Sequence, residues 1–274
     1  MSRIQKALAK AKATASHDRK LSQPRGIASS LRQAVKNTGI FKALLSTEID
    51  TAAMARYRIL PGVDDNKVAT AYKMLRTRIL QRMRSNNWNS LLVTGPGPNE
   101  GKTITAANLA ISISKDINQS TILVDLDLPR PSLTEYFGLT VDAGLGEFLK
   151  GEANLEDIIY VPDGLERLTM IPNREPIENS SDLIASPRMH ELIAWTRDHG
   201  DATVTIFDMP PVLATDDVLA FCEYVDTVLL VVSQGMTDRQ ALAKTVQLLS
   251  DYELLGVILN RSSQIVGQTA YSYY

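Results

Sequence analysis

The 274-residue chain holds one cysteine, three histidines and two tryptophans, and each scarcity removes a class of function. Cys222 lies alone in the apolar run "VLAFCEYV", which excludes a disulfide framework and a cysteine-based metal site and suits a reducing compartment. His17, His190 and His199 are scattered without metal-ligand spacing and read as surface or helix-end residues rather than catalysts. No apolar run approaches the roughly 18 residues of a membrane-spanning helix. The opening "MSRIQKALAKAKATA" is too polar for a signal-peptide core. The expected location is therefore the cytoplasm, free or peripheral at the inner face of the cell membrane. Aromatics make up 6% of the chain, and none forms a basic-plus-aromatic platform, so nucleic acid is not an expected partner.

What the chain does have is an uneven charge. Residues 1–60 carry 12 of the 29 Lys and Arg but only Asp18, Glu48 and Asp50 among the 31 acids. A net charge of −2 thus hides a basic N-terminal zone and an acidic remainder. In that zone Ser2 can cap a short helix with Ile4, Leu8 and Ala11 on one face and Arg3, Lys6, Lys10 and Lys12 around it. Pro24 and Gly26 break the pattern before a second apolar segment, and "ILPGVDDN" marks a boundary. Residues 1–60 are read as a mainly helical basic arm and linker, either a solvated tail or a docking element for an anionic membrane or partner.

From residue 66 the pattern changes. Val68, Tyr72, Leu75, Ile79 and Met83 recur at helical spacing, predicting a long amphipathic helix that ends near "SNNWN". Short apolar runs then alternate with helical ones: "SLLVT", "STILVDLD", "LTMIP", "TVTIFD", "TVLLVVS" and "LLGVILN" read as strands. That alternation predicts an α/β fold, a mostly parallel sheet with helices on both faces. Trp88 and Trp195 read as packing anchors, and Met54, Met74, Met83 and Met170 as core filler.

"LLVTGPGPNEGKTITAANLA" runs strand, turn-rich loop and helix, the context a phosphate-binding loop requires. Backbone N–H groups at such a helix start hold phosphate oxygens, Lys102 neutralises the outer phosphates, and Thr103 reaches Mg2+. The usual first glycine falls at Pro96, with Gly95 and Gly97 beside it, so the loop is a variant. "TILVDLDLPRPSL" puts Asp125 and Asp127 at a strand end, where open parallel sheets bind ligands. Alternation along a strand would turn both carboxylates toward one spot. "VTIFDMPPVLATDD" delivers Asp208 to the same edge, with Pro210 and Pro211 stopping the strand. Acids placed so, beside a lysine-bearing loop, suit metal and proton handling.

"GPNEGKT", "ILVDLDLPRP" and "IFDMPPVL", in that order and with a tail ending "AYSYY", resemble the nucleotide motifs of the bacterial tyrosine kinases, the BY-kinases of exopolysaccharide and capsule production. The resemblance covers residues 66–274 and implies a P-loop NTPase fold. It separates the chain from cell-division and partition ATPases, whose loop carries an additional lysine where Gly97 stands. It implies an ATP-dependent tyrosine autokinase in which Lys102 and the loop residues Asn99, Glu100, Gly101, Thr103 and Ile104 hold ATP. It further implies that Thr103, Asp127 and Asp208 serve Mg2+, that Asp125 is the base, that Asn260 contacts the nucleotide base, and that Tyr271, Tyr273 and Tyr274 accept phosphate.

Three departures stand out. Asn99 replaces a small glycine-rich step, Pro129 replaces one of two basic residues so that Arg130 alone remains, and the first long helix reads Thr70, Lys73, Arg76 where relatives carry an acid and two arginines. The last leaves assembly into homo-oligomers open. The implied partners are a separate membrane chain-length regulator, or polysaccharide co-polymerase, and a cognate tyrosine phosphatase. The basic start "MSRIQKALAKA" is similar to stand-alone autokinases of exopolysaccharide operons, with no membrane segment expected ahead of the kinase region. A non-kinase P-loop ATPase switch that positions a membrane partner is the alternative.

Overall fold

A computed structural model describes residues 46–60, 66–178, 180–200 and 202–262. The arm helices expected before residue 46 and the tail tyrosines Tyr271, Tyr273 and Tyr274 lie outside the described residues. In chain order the elements are β1 (Ser46–Thr47), α1 (Thr51–Arg56), α2 (Asn66–Asn86), β2 (Ser90–Thr94), α3 (Lys102–Ser114), β3 (Ser120–Asp125), α4 (Leu133–Phe137) and α5 (Leu145–Lys150). There follow β4 (Val161–Pro162), β5 (Leu168–Ile171), α6 (Ser180–Ile184), α7 (Pro187–Arg197), β6 (Thr203–Asp208), α8 (Asp217–Phe221), β7 (Thr227–Ser233), α9 (Arg239–Leu248) and β8 (Leu254–Asn260).

The predicted strands form one six-stranded sheet in the order β5-β3-β6-β2-β7-β8, every neighbouring pair parallel. Strands β2, β6 and β7 are buried along their whole length, which is why they read as unbroken apolar runs rather than alternating ones. Each face of the sheet has its own core. Leu91, Val93, Leu123, Ile206 and Leu229 pack with Ile79, Met83, Leu109 and Ile113 of α2 and α3. Leu92, Val124, Phe207 and Leu230, their neighbours along the strands, pack with Phe148, Leu192 and Phe221 on the other side. Each fully buried Leu, Ile or Phe contributes on the order of 1.5–3 kcal/mol, so the two cores hold the sheet edge in a fixed shape.

Two features differ from the sequence reading. Residues 46–60, assigned to the arm and linker, contribute to the core: Met54, Ile59 and Leu60 are buried in the first core, and the Leu60 N–H donates to the Asn108 side chain of α3 at 2.7 Å. Arg56 and Arg58 are surface charges on this segment, interleaved with the buried Met54, Ile59 and Leu60. Met54, Met83 and Met170 are core residues, but Met74 is 45% exposed, since it lies off the apolar stripe of α2.

Candidate active site

The loop from Gly95 to Gly101 joins β2 to α3, and its shape follows from where glycines are needed. A Cβ on Gly95 would stand 2.4 Å from Glu100 Oε2 and 2.5 Å from the Val231 carbonyl, so glycine is required here, one position before the usual site. Gly101 has φ of 90°, a left-handed conformation costly for residues with a Cβ. Asn99 takes φ of 60°, and asparagine is among the side chains that tolerate this region best. The departure at Asn99 thus keeps a turn that glycine would also make.

Glu100 is buried and braces the loop from within. Its Oε2 accepts from the Gly97 N–H at 2.9 Å, and its Oε1 accepts from the Thr237 hydroxyl at 2.6 Å. Lys102, the first residue of α3, donates from Nζ to the Gly97 carbonyl at 3.3 Å. The lysine therefore folds back over the loop, where the phosphate-binding backbone N–H groups gather.

Asp125 and Asp208 are cross-strand partners at the ends of β3 and β6, and both are fully buried. Asp125 Oδ2 accepts from the Ser132 and Leu133 N–H groups, each at 3.1 Å, while its Oδ1 and both oxygens of Asp208 are buried without a hydrogen-bond partner. Burial and the charge of Asp127 push the Asp125 carboxyl up to about 7, against the pull of those two N–H groups. Burial and the Asp125 charge raise Asp208 well above the usual carboxylate range, the nearby Thr103 hydroxyl and Lys102 offsetting part of this. Asp127 is raised by burial and held down by Lys102. It lies beyond the last residue of β3, so strand alternation does not place it; the turn closed by the Arg130 N–H to the Asp127 carbonyl at 2.9 Å does.

A cavity of about 600 Å3 opens beside this edge, lined by Asn99, Gly101, Lys102, Thr103, Ile104, Asp127 and Arg130 among others. Asp125 and Asp208 do not line it; they lie beneath. Asn260 does not line it either: its Nδ2 donates to the Glu100 carbonyl at 2.9 Å, and its Oδ1 accepts from the Arg261 N–H at 2.8 Å. Sequence reasoning missed Tyr136, Thr215 and Arg261, which do line the cavity. Tyr136 stacks on Tyr57 with ring centroids 4.5 Å apart, and no motif signals it. Arg261 follows the strand-end Asn260 directly, a position that signals a cavity rim in such sheets.

The unpartnered oxygens of Asp208, near the Thr103 hydroxyl, and the Asp127 carboxylate in the cavity wall are oxygen donors of the kind a hard divalent cation takes, so the residues fit Mg2+. Among the described residues no cluster of three or more His, Cys, Asp or Glu has metal-site geometry.

No family model matches the chain. It is 30% identical over 222 residues to a putative tyrosine-protein kinase EpsB of Ralstonia nicotianae, covering 79% of this chain and 28% of that protein. It is 29% identical over 205 residues to the tyrosine-protein kinase YwqD of Bacillus subtilis, covering 74% of this chain and 84% of that one. The solved kinase domain of the Escherichia coli tyrosine kinase ETK superposes with a TM-score of 0.64 at 30% identity, over 75% of this chain and 80% of the domain. The fold is that of a P-loop kinase domain, parallel sheet and strand-end site included. The chain belongs to the bacterial tyrosine kinase family, although it spans only 28% of the length of curated relatives such as EpsB and the Escherichia coli etk kinase.

Proposed function

We propose that the chain is an ATP-dependent protein tyrosine autokinase that transfers the γ-phosphoryl group to Tyr271, Tyr273 and Tyr274 and so regulates exopolysaccharide or capsule synthesis and export. The observation that carries this reading is the convergence of Lys102, Thr103 and three aspartates at the C-terminal ends of β2, β3 and β6, in a chain similar to tyrosine kinases.

The backbone N–H groups of residues 99–104 and the Lys102 ammonium would hold the ATP phosphates, and Thr103, Asp127 and Asp208 would hold Mg2+. That ion, when bound, neutralises charge developing on the transferred group. The acceptor phenol loses its proton to a carboxylate as its oxygen bonds to the γ-phosphorus. The bond from that phosphorus to the β,γ-bridging oxygen breaks, and ADP departs. Phosphoryl transfer asks chiefly for positioning and charge neutralisation, which such a clamp supplies. Asp125 takes the proton in the first reading, because its affinity for a proton near pH 7 suits a base working at neutral pH. Asp127 is the second reading, favoured by its place in the cavity wall.

The proposed partners are a membrane chain-length regulator and a cognate phosphatase, and the proposed location is the cytoplasmic face of the membrane. Among the described residues no helix is long and apolar enough to cross a bilayer. Incubation with Mg-ATP and mapping of phosphate by mass spectrometry tests the reading. Phosphate is expected on the tail tyrosines, and none in Lys102→Ala. Consumption of ATP with an unmodified tail would replace it with the ATPase switch.

A further inference from the structure

The exposed side of α2 carries an unusual charge. The helix holds Lys67, Lys73, Arg76, Arg78, Arg82 and Arg84 and no acid at all. Arg76 is used within the fold, donating to the Ser112 carbonyl at 2.8 Å. Lys73, Arg78, Arg82 and Arg84 are exposed, and among the described residues none of them makes an ion pair. At 100° per residue these four spread across the whole solvent-facing half of the helix, which at 21 residues is about 31 Å long.

A second element extends the patch. Arg76 and the Ser112 hydroxyl, which donates to the Tyr72 carbonyl at 3.3 Å, fix the C-terminal end of α3 against the first half of α2. Lys115 follows at the end of α3, its ammonium pushed down first by partial burial and then by the charge of Lys73. The acid beside it, Asp116, is occupied in a turn, where its Oδ1 accepts from the Asn118 N–H at 3.1 Å. Two apolar side chains are exposed on the same two segments, Met74 on α2 and Ile117 two residues beyond Lys115. Met74 is 45% exposed and Ile117 is 77% exposed, the most exposed of the large hydrophobic residues described.

We propose that the face formed by Lys73, Arg78, Arg82, Arg84 and Lys115, with Met74 and Ile117, is a docking surface for an anionic lipid bilayer. Cations spread over half a helix circumference match a plane of uniform negative charge better than the discrete carboxylates of a protein partner, which would call for a few well-aimed arginines. Protruding apolar side chains between lysines and arginines enter the boundary between headgroups and acyl chains, and each basic residue near such a surface adds attraction. These residues belong to the folded kinase unit, and the proposal does not depend on the nature of the reaction.

The test is co-sedimentation of the full chain with vesicles of phosphatidylglycerol and phosphatidylcholine, against vesicles of phosphatidylcholine alone. The wild-type chain should bind only the anionic vesicles and should be released by salt. The combined variant Lys73→Gln, Arg78→Gln, Arg82→Gln, Arg84→Gln should lose partitioning by about a hundredfold or more while still binding ATP. Ile117→Ser, a surface change that spares the fold, should weaken binding several-fold. Both variants keep the basic arm, so vesicle binding that survives in them would assign attachment to the arm and overturn the proposal. Absence of binding by the wild-type chain would overturn it too. So would a change of sedimentation coefficient in the four-residue variant with vesicle binding intact, which would make a second copy of the chain the partner.

Discussion

The side-chain amide of Asn260 donates to the main-chain carbonyl of Glu100 at 2.9 Å, so the end of β8 holds the phosphate loop at the residue just before Gly101. The resemblance implies that Asn260 contacts the nucleotide base; in the structure its amide bonds the Glu100 carbonyl and the Arg261 N–H. We propose that it contributes to binding through the loop. Asn260→Ala should raise the dissociation constant for ATP by about fivefold to tenfold, the worth of one hydrogen bond of about 1 kcal/mol or a little more. Titration with a fluorescent ATP analogue measures it. A loss specific to ATP over GTP would instead mark a direct base contact.

Asp125 and Asp208 give the protein a pH-dependent stability of definite sign. Both carboxyls bind protons more tightly in the folded chain than in the unfolded one. Between the ordinary carboxylate range and the raised value, about 7 for Asp125, the folded state holds protons that the unfolded state has released. Stability of the nucleotide-free chain therefore falls as pH rises from about 4 to 7. Thermal unfolding followed at several pH values should show this fall, and Mg-ATP should flatten it by supplying cations. Asp208→Asn removes a buried charge, and should raise the melting temperature at pH 8 by a few degrees while abolishing phosphoryl transfer.

The strands, their parallel arrangement and the place of Lys102, Thr103 and Asp208 were legible because buried parallel strands read as apolar runs, and because a glycine-rich loop before a helix has a distinctive composition. The contribution of residues 46–60 to the core was not legible: Met54 and Ile59 are core residues on a short segment amid surface arginines, and two isolated apolar residues make no period. Neither was the split between Asp125 and Asp127. Sequence alternation assigns them one face, but β3 ends at Asp125, and the turn beyond it turns Asp127 toward the cavity while Asp125 stays beneath. Tyr136 was missed for a similar reason, since its α4 spans only Leu133–Phe137, too short to show a face.

That split allows the proton acceptor to be assigned by experiment. If Asp125 takes the phenol proton, Asp125→Asn should lower kcat by about a hundredfold or more with little effect on KM for ATP, and should remove the acid limb near pH 7 from the pH profile. If Asp127 does so, Asp127→Asn should produce the fall in kcat and remove an acid limb lying above the ordinary carboxylate range. Asp125→Asn would then act through the Ser132 and Leu133 contacts of Oδ2, weakening ATP binding and stability and leaving the acid limb in place. Single-turnover kinetics with a tail peptide, measured across pH 5 to 9 or so, distinguishes the two.

Gly101 offers a coupled test of the loop. A Cβ there would fall 2.1 Å from Asn260 Nδ2, and φ of 90° adds the cost of a left-handed conformation, about 1–2 kcal/mol. The clash is with a side chain, whereas the conformational cost is intrinsic to the backbone. Gly101→Ala alone should therefore lose both the Asn260 strut and the turn, with ATP binding weakened by more than about a hundredfold. Adding Asn260→Ala removes the clash but not the strain. The double variant should then be no worse than Gly101→Ala, and better folded by about 1 kcal/mol, a non-additivity that marks two residues in direct contact. Strictly additive losses in a thermal-denaturation and ATP-binding cycle would mean that Asn260 and Gly101 act independently, and that β8 does not hold the phosphate loop in place.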